Sequence, residues 1–322
     1  MPTTSDMRWF KTNFQDKINA AIAGTPFTLD LMTALACQET GEIWPILRQT
    51  DLSLDRILAL CVGDTLDAPN RSAFPRNKAA LVAEDRGQEM FDIAREALVE
   101  MAQFIDSYKG AASNPNKFCH GYGMFQFDLQ FFKTEPDYFL EKRYAKFAET
   151  LGKALSELES ARQKIGLGNK ATLSDLELCH VAIAYNTGHF NPAKGLKQGF
   201  APKDKHGNVI GPFYGEQIFD FIQKSKTVTA EGSTTTTTTS GTATGATFKV
   251  TASSLNLRTD PSIPANDSKA NVEVTLPNGQ TVRAVTDQIV NGFREIETDF
   301  QGQHRRGFCS AKFLTQVLGT SG

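Results

Sequence analysis

Residues 28–43 read T-L-D-L-M-T-A-L-A-C-Q-E-T-G-E-I, and this stretch predicts a helix that ends on a glutamate. Thr28 is a good N-cap, and Gly41 is a typical stop just past the last turn. The core face is marked by apolar residues at helical spacing, Leu31, Met32 and Leu35. Glu39 follows on that face, where burial would raise the carboxyl pKa to the range of a general acid. The alternative is that Glu39 is only the first exposed residue after a core helix.

Two later stretches extend this interpretation. Residues 119–128 read C-H-G-Y-G-M-F-Q-F-D, and residues 182–188 read A-I-A-Y-N-T-G. Together with A-C-Q-E-T-G they resemble, in the same order, the three signature segments of the lysozyme-like lytic transglycosylases, within the goose-type lysozyme superfamily. Glu39-Thr40-Gly41 matches that family's Glu-Ser-Gly, Gly123-Met124-Phe125-Gln126 its Gly-Leu-Met-Gln, and Tyr185-Asn186-Thr187-Gly188 its Tyr-Asn-Ala-Gly.

The resemblance implies a peptidoglycan-degrading activity without a cofactor or a metal. Glu39 would protonate the glycosidic oxygen between N-acetylmuramic acid and N-acetylglucosamine and would then act as the base. Gln126 would bind an N-acetyl group, and Tyr185 would help to hold Glu39 in place. Substrate contacts would come from the second and third segments: Gly123, Met124, Phe125, Gln126, Tyr185 and Asn186.

A large insertion, at about residues 44–118, separates the first two segments and departs from the family pattern. It contains a polar, turn-rich part in which Asp64 and Asp67 are either solvated turn residues or catalytic carboxylates that position water. A hydrolytic muramidase needs such a carboxylate, whereas a lytic transglycosylase does not. Both reactions stay open, and we expect the transglycosylase because the three matched segments are those of that family.

The C-terminal part of the chain has a different pattern. Residues 229–245 contain a run rich in Thr, Ser and Gly that predicts a linker, because its side chains cannot bury enough apolar surface to fold. After Gly245 the apolar period changes to 2, which predicts short strands. The segments V-T-A-S-S-L-N-L-R and G-F-C-S-A-K-F-L resemble bacterial SH3-like domains, which implies a small barrel that binds the peptide stems of peptidoglycan. The alternative is a barrel with a purely structural or protein-contact role.

The predicted fold class is therefore multidomain. A mainly α lysozyme-like catalytic domain spans residues 1–228, and a small all-β SH3-like barrel spans residues 246–322. The net charge of −2 argues against a nucleic-acid partner, and no apolar run approaches the roughly 20 residues of a transmembrane helix. The expected partner of the catalytic domain is the glycan strand of peptidoglycan.

The first residues, M-P-T-T-S-D-M-R, show no basic region followed by an apolar stretch, so no signal peptide is expected. Export by a route that needs none, or release by cell lysis, would then bring the protein to the cell wall or the periplasm. Use as an antibacterial, bacteriolytic effector would add an immunity protein as a partner.

Three rival functions share parts of this pattern. A chitin- or chitosan-type hydrolase would use the same glutamate chemistry. A peptidoglycan endopeptidase would pair Cys37, Cys61 or Cys119 with a histidine. A non-catalytic wall-binding protein stays open because Thr40 replaces the serine of the family. The cysteines show no C-x-x-C spacing, which argues against a zinc site, and small buried thiols are the other interpretation.

Overall fold

The computed structural model describes residues 1–66, 71–230, 246–261, 263, 269, 271–290 and 292–317. The chain divides into two compact units, one of Met1–Pro2 and Asp6–Gly232 and one of Thr3–Ser5 and Ser233–Gly322. We call them the N-terminal and the C-terminal unit. The predicted linker falls almost entirely on residues 231–245, which lie outside the described residues, so the predicted domain boundaries at 228 and 246 stay predictions.

The N-terminal unit is built around helices. In chain order they are α1 (Thr4–Ile22), α2 (Leu29–Glu39), α3 (Trp44–Leu47), α4 (Leu54–Ala59), α5 (Lys78–Val82), α6 (Gly87–Met101), α7 (Lys109–Ala112), α8 (Pro136–Leu140), α9 (Phe147–Lys164), α10 (Asp175–Thr187) and α11 (Tyr214–Lys226). Helix α2 lies in the core, and its apolar face is fully buried at Leu31, Met32 and Leu35. The predicted N-cap is confirmed, because the Leu31 N–H donates to Thr28 Oγ1 at 3.1 Å.

The insertion also contributes to a small antiparallel sheet. Its strands are β1 (Val62–Leu66), β2 (Phe118–Tyr122) and β3 (Phe127–Asp128), in the order β1-β2-β3. The prediction of a turn-rich part around Asp64 is therefore wrong for residues 63–66, which belong to β1. These residues have a polar character and do not show the alternation of a strand. They form one because β2, more than 50 residues away in the chain, pairs with them.

A buried lysine ties three helices of the N-terminal unit together. Lys11 on α1 is only 4% exposed, and its Nζ donates to Asp30 Oδ1 on α2 at 2.7 Å. The same Nζ donates to the carbonyls of Ser225 at 2.7 Å and Val228 at 2.9 Å, at the end of α11. Ser225 Oγ also donates to Asp30 Oδ1, so the charge and both carbonyls are satisfied inside the core.

The C-terminal unit contains one seven-stranded antiparallel sheet in the order β10-β4-β7-β8-β9-β5-β6. The strands are β4 (Thr247–Val250), β5 (Ser254–Arg258), β6 (Val272–Pro277), β7 (Thr281–Val290), β8 (Phe293–Phe300), β9 (Gln303–Ser310) and β10 (Leu314–Gln316). Its core is separate and small, and Leu257, Leu276 and Ile296 are fully buried in it.

The predicted fold class, a mainly α lysozyme-like domain followed by a small SH3-like barrel, is wrong. The protein is 45% helix and 19% strand, with a seven-stranded and a three-stranded sheet, and no closed barrel is found among the described residues. Apolar alternation identifies strands, but barrel closure depends on strand tilt and register, which alternation does not specify. The sequence also hides β9, because its first half carries His304, Arg305 and Arg306 where an apolar alternation would be expected.

We predict that Lys11→Met lowers the free energy of unfolding of the N-terminal unit by about 3–5 kcal/mol, because the Asp30 carboxylate and the carbonyls of Ser225 and Val228 lose the ammonium group that they share. Trp9 and Trp44, the two tryptophans of the chain, both lie in this unit, so tryptophan fluorescence during urea unfolding reports on it alone. The matched control is Lys224→Met on α11, whose ion pair with Asp220 is exposed and should contribute about 0–1 kcal/mol. Equal losses in the two variants would contradict the role of Lys11.

Candidate active site

Glu39 is the last residue of α2, and the chain turns sharply after it. Thr40 is the C-cap, and the residue that follows is a glycine because there is no space for a side chain. A Cβ atom on Gly41 would collide with the carbonyl of Cys37 and with the ring of Pro2. Glycine therefore lets the chain fold back against the end of α2, where the Glu39 side chain borders an open cleft.

The Glu39 carboxyl is held by a tyrosine from another helix. Tyr214, the first residue of α11, donates its hydroxyl hydrogen to Glu39 Oε1 at 2.7 Å. Lys11 bridges α2 and α11 elsewhere, so the core fixes the two helices that carry this pair. No local pattern identifies Tyr214 as a partner of Glu39, because their hydrogen bond joins residues that are 175 positions apart.

Burial raises the pKa of Glu39 to about 7. The hydrogen bond from Tyr214 acts in the opposite direction, because a donor favours the charged carboxylate, and the negative charge of Asp64 adds to the effect of burial. Burial is the largest of these effects, so Glu39 is partly protonated at neutral pH. This is the protonation state that a general acid requires.

The cleft beside Glu39, which we call the Glu39 cleft, has a volume of about 320 Å³. Three of its lining residues are acidic, namely Glu39, Glu42 and Asp64, and none of the described lining residues is a lysine or an arginine. The described residues that line it are Met1, Pro2, Cys37, Gln38, Glu39, Thr40, Gly41, Glu42, Ile43, Asp64, Tyr108, Phe200, Pro202, Gln217 and Phe221.

Asp64 is the predicted second carboxylate that the fold brings into this cleft. It lies in β1 with a φ of 46°, a left-handed conformation that aspartate tolerates better than most residues. Pairing of β1 with β2 and a hydrogen bond between the Asp64 backbone and the Tyr108 hydroxyl hold it there. Asp67, the third predicted catalytic residue, lies outside the described residues.

The second signature segment forms the tight turn between β2 and β3. Gly123 and Gln126 have φ angles of 78° and 54°, and the Gln126 N–H donates to the Gly123 carbonyl at 3.0 Å. The side chains of Met124 and Phe125 are 0% and 1% exposed, so they belong to the core. Only Gln126 and the main chain of this turn can therefore reach a ligand, and their predicted role in substrate binding stays a prediction.

The Gln126 side chain lies across two strands next to Asp64. Its Nε2 donates to the Gly123 carbonyl at 2.9 Å, and its Oε1 lies over Gly63 and Gly121. These two glycines are register partners in β1 and β2, and a Cβ atom on either would collide with the Gln126 amide. The paired glycines thus make the space in which Gln126 packs.

Two side-chain hydrogen bonds join the three signature segments. The Thr40 hydroxyl donates to the Met124 carbonyl at 2.8 Å, and the Tyr185 hydroxyl donates to the Phe125 carbonyl at 2.6 Å. A serine at position 40 would supply the same hydroxyl, so the Thr40 substitution keeps the donor. The segments are separated by 84 and 60 residues at these contacts, and sequence order alone gives no sign that they touch.

Tyr185 is close to Glu39 without donating to it. Burial and the negative charge of Glu39 raise the pKa of the Tyr185 hydroxyl, whose hydrogen bond goes to Phe125. Tyr214 therefore has the position next to the carboxyl that the sequence suggests for Tyr185. Asn186 is exposed in the last turn of α10, and its predicted substrate contact stays a prediction.

A second polar cluster, which the sequence does not identify as a unit, lies on β2 and β3. Arg71 forms an ion pair with Asp128 and places Nη1 2.6 Å from Nδ1 of His120, which is itself 3.0 Å from Asp128 Oδ2. Burial alone would raise the pKa of Asp128, but the hydrogen bonds from His120 and Arg71 outweigh it and lower that pKa. Asp128 is thus an ionised partner of Arg71 and unsuited to donate a proton.

The cysteines are all free and buried: Cys37, Cys61, Cys119, Cys179 and Cys309. Burial raises the pKa of the thiol at each of them, to about 12 at Cys179 and Cys309 and further at the other three. The reactive species in cysteine chemistry is the thiolate, which such surroundings disfavour.

No family model, curated protein or solved structure matches this chain. Within the described part of the chain, no group of His, Cys, Asp and Glu side chains is arranged to hold a metal ion. No described helix is both long and apolar enough to cross a membrane.

We predict that Glu39→Gln stabilises the protein at alkaline pH. The folded-state pKa of Glu39, about 7, lies above its value in an unfolded chain, so the stability from protonated Glu39 is present at acid pH and is lost as the pH rises towards 7. Between pH 4 and pH 8, the free energy of unfolding of wild type should therefore fall by roughly 1–3 kcal/mol more than that of the variant. The measurement is urea unfolding at both pH values. Glu96→Gln, whose side chain is 58% exposed, is the control, and a Glu39→Gln difference no larger than that control would contradict the assignment.

Proposed function

We propose that this protein cleaves the glycan strands of peptidoglycan between N-acetylmuramic acid and N-acetylglucosamine, with Glu39 as the general acid. One observation carries the proposal: Glu39 borders an open cleft, accepts a hydrogen bond from Tyr214 and has a pKa of about 7. A carboxyl with these properties can protonate a glycosidic oxygen at neutral pH and can later take up a proton as the base.

The resemblance of three segments to lytic transglycosylases adds support. In that family the segments belong to one active site, and here they are joined by the hydrogen bonds of Thr40 and Tyr185. The bonds link the end of α2, which carries Glu39, to the β2–β3 turn, and they link that turn to the end of α10. An unrelated coincidence of three short motifs would give no reason for such contacts.

The position of Asp64 favours hydrolysis over transglycosylation. An inverting glycosidase needs a second carboxylate that activates water, and Asp64 lines the same cleft as Glu39. Asp64 would position the water on the far side of the sugar ring while Glu39 protonates the leaving group. A lytic transglycosylase would use the muramoyl 6-hydroxyl instead and would not depend on Asp64.

A chitosan-type hydrolase is the second candidate, and the charge of the cleft favours it. Glu39, Glu42 and Asp64 make the lining acidic, and the described lining residues include no lysine or arginine. A polymer of glucosamine carries ammonium groups that such a cleft attracts, whereas N-acetylated glycans are neutral at this position. Comparing the cleavage rate of chitosan fragments with that of glycan strands at low and high salt separates the two candidates.

The remaining alternatives have less support. An endopeptidase with a cysteine nucleophile needs a thiolate within reach of solvent, and the buried cysteines with raised pKa values do not offer one. A purely wall-binding protein gives no reason for a partly protonated carboxyl in a cleft.

The C-terminal unit is the expected site for the peptide stems. A cleft of about 340 Å³ lies on β7–β9 and carries charges of both signs, from Arg283, Glu297 and Asp299. Peptide stems carry both carboxylates and amines, so such a surface can pair with them. Binding there would concentrate the catalytic unit at the wall.

We predict that Glu39→Gln lowers the rate of glycan cleavage by about 10²–10⁴-fold, because the amide keeps the shape of the side chain but cannot supply a proton. The measurement is release of soluble muropeptides from purified sacculi. Glu42→Gln in the same cleft is the matched control, and its cleavage rate should stay well above that of Glu39→Gln. A Glu39→Gln variant as active as Glu42→Gln would refute the role of Glu39.

The product of Asp64→Asn distinguishes the two reactions. If Asp64 positions water, wild type yields products with reducing ends. The variant should form these products more slowly, by about 10²-fold or more, because it cannot activate the water. Mass spectrometry of the muropeptides reads anhydro and reducing ends directly. Asp55→Asn, in an exposed part of the insertion, is the control. Anhydro ends from wild type that persist in Asp64→Asn would instead identify a transglycosylase.

A further inference from the structure

Phe200 is an exposed aromatic residue on the wall of the Glu39 cleft. It leaves 76% of its surface exposed, which is unusual for so large an apolar side chain, and it lines the cleft together with Pro202. Single exposed apolar residues are common, but aromatic side chains that line a cleft are typical contacts for a bound ligand. The Phe200 ring is therefore placed where it can contact a molecule that enters the cleft.

The backbone around Phe200 is firmly held. Its carbonyl accepts the N–H of Tyr214 at 2.8 Å, and the carbonyl of Gln198 accepts the N–H of Gly215 at 3.2 Å. A Cβ atom on Gly199 would come within 2.5 Å of the Tyr214 side chain, so the chain runs against the start of α11. The exposure of Phe200 is thus a property of a fixed segment.

Gln198 fastens the same segment from the other side. Its side chain is only 7% exposed, and its Nε2 donates to the carbonyls of Gly195 at 2.6 Å and Asn191 at 3.0 Å. Its Oε1 accepts the Asn191 N–H at 2.8 Å. These bonds close residues 191–198 into a loop that ends two residues before Phe200.

A polar side chain of the same cleft has a buried atom without a hydrogen-bond partner among the described residues. Gln38, which lines the cleft next to Glu39, has a buried Oε1 with no hydrogen-bond partner among the described residues. A buried acceptor without a partner costs free energy, so an N–H or O–H group of a bound molecule would stabilise it. The cleft therefore combines an unsatisfied acceptor with an exposed aromatic ring.

We propose that Phe200 is the stacking platform for a pyranose ring of the glycan, next to the sugar whose glycosidic bond Glu39 protonates. This inference rests on the proposed function. A pyranose has an apolar C–H face and a rim of hydroxyl and acetamido groups, so Phe200 contacts the face while Gln38 accepts a hydrogen bond from the rim. Because Phe200 and Tyr214 share a backbone hydrogen bond, the sugar is positioned relative to the residue that holds Glu39.

The test measures binding separately from catalysis. The parent is full-length Glu39→Gln, and the probe is the hexamer of N-acetylglucosamine, titrated by calorimetry. Adding Phe200→Ala should raise Kd on the order of tenfold, the loss expected for one aromatic contact, and Phe200→Trp should restore it. In the wild-type background Phe200→Ala should raise KM more than it lowers kcat. Because Phe200 is exposed, its replacement leaves the core unchanged.

Ile210→Ala is the matched control, since Ile210 is 66% exposed, donates its N–H to the carbonyl of Pro202 and is not among the lining residues of the cleft. Its Kd should equal that of the parent. An unchanged Kd in Phe200→Ala, with the parent still binding the hexamer, overturns the inference and leaves the proposed function intact. Equal weakening by Ile210→Ala also overturns it and indicates a general apolar docking face. Absence of binding by the parent, with no glycan cleavage by wild type, overturns both.

Discussion

The hydrogen bond between Tyr214 and Glu39 is the interaction on which the candidate site depends. It joins the end of α2 to the start of α11, and it opposes the burial that would otherwise raise the carboxyl pKa still further. The result is a carboxyl that can exist in both protonation states near neutral pH. A general acid that later acts as a base needs this balance, since one state serves each step.

The rest of the N-terminal unit supports that pair. Lys11 holds α2 and α11 together from within the core, and Thr40 fastens the chain after Glu39 to the β2–β3 turn. The insertion then supplies β1, whose irregular backbone at Asp64 brings a second carboxylate to the cleft. The acidic lining follows from this convergence of helix end and strand.

Local patterns made part of this predictable. Helix α2 follows from its N-cap and apolar spacing, and the position of Glu39 follows from α2. Tyr214 could not be found in this way, because its bond to Glu39 spans 175 residues and leaves no local pattern. β1 reads as a turn because its stability comes from pairing with β2. The barrel was wrongly predicted because alternation does not determine how the first and last strands of a sheet meet.

The most direct test of this account is the pKa of Glu39 itself. Carbon-13 NMR of the glutamate carboxyls, with the Glu39 signal identified by its absence in Glu39→Gln, follows that one group as the pH is raised. The account predicts a titration midpoint of about 7. A midpoint near the ordinary glutamate value of about 4.3 would contradict it, because Glu39 would then be fully ionised at neutral pH and could not donate a proton.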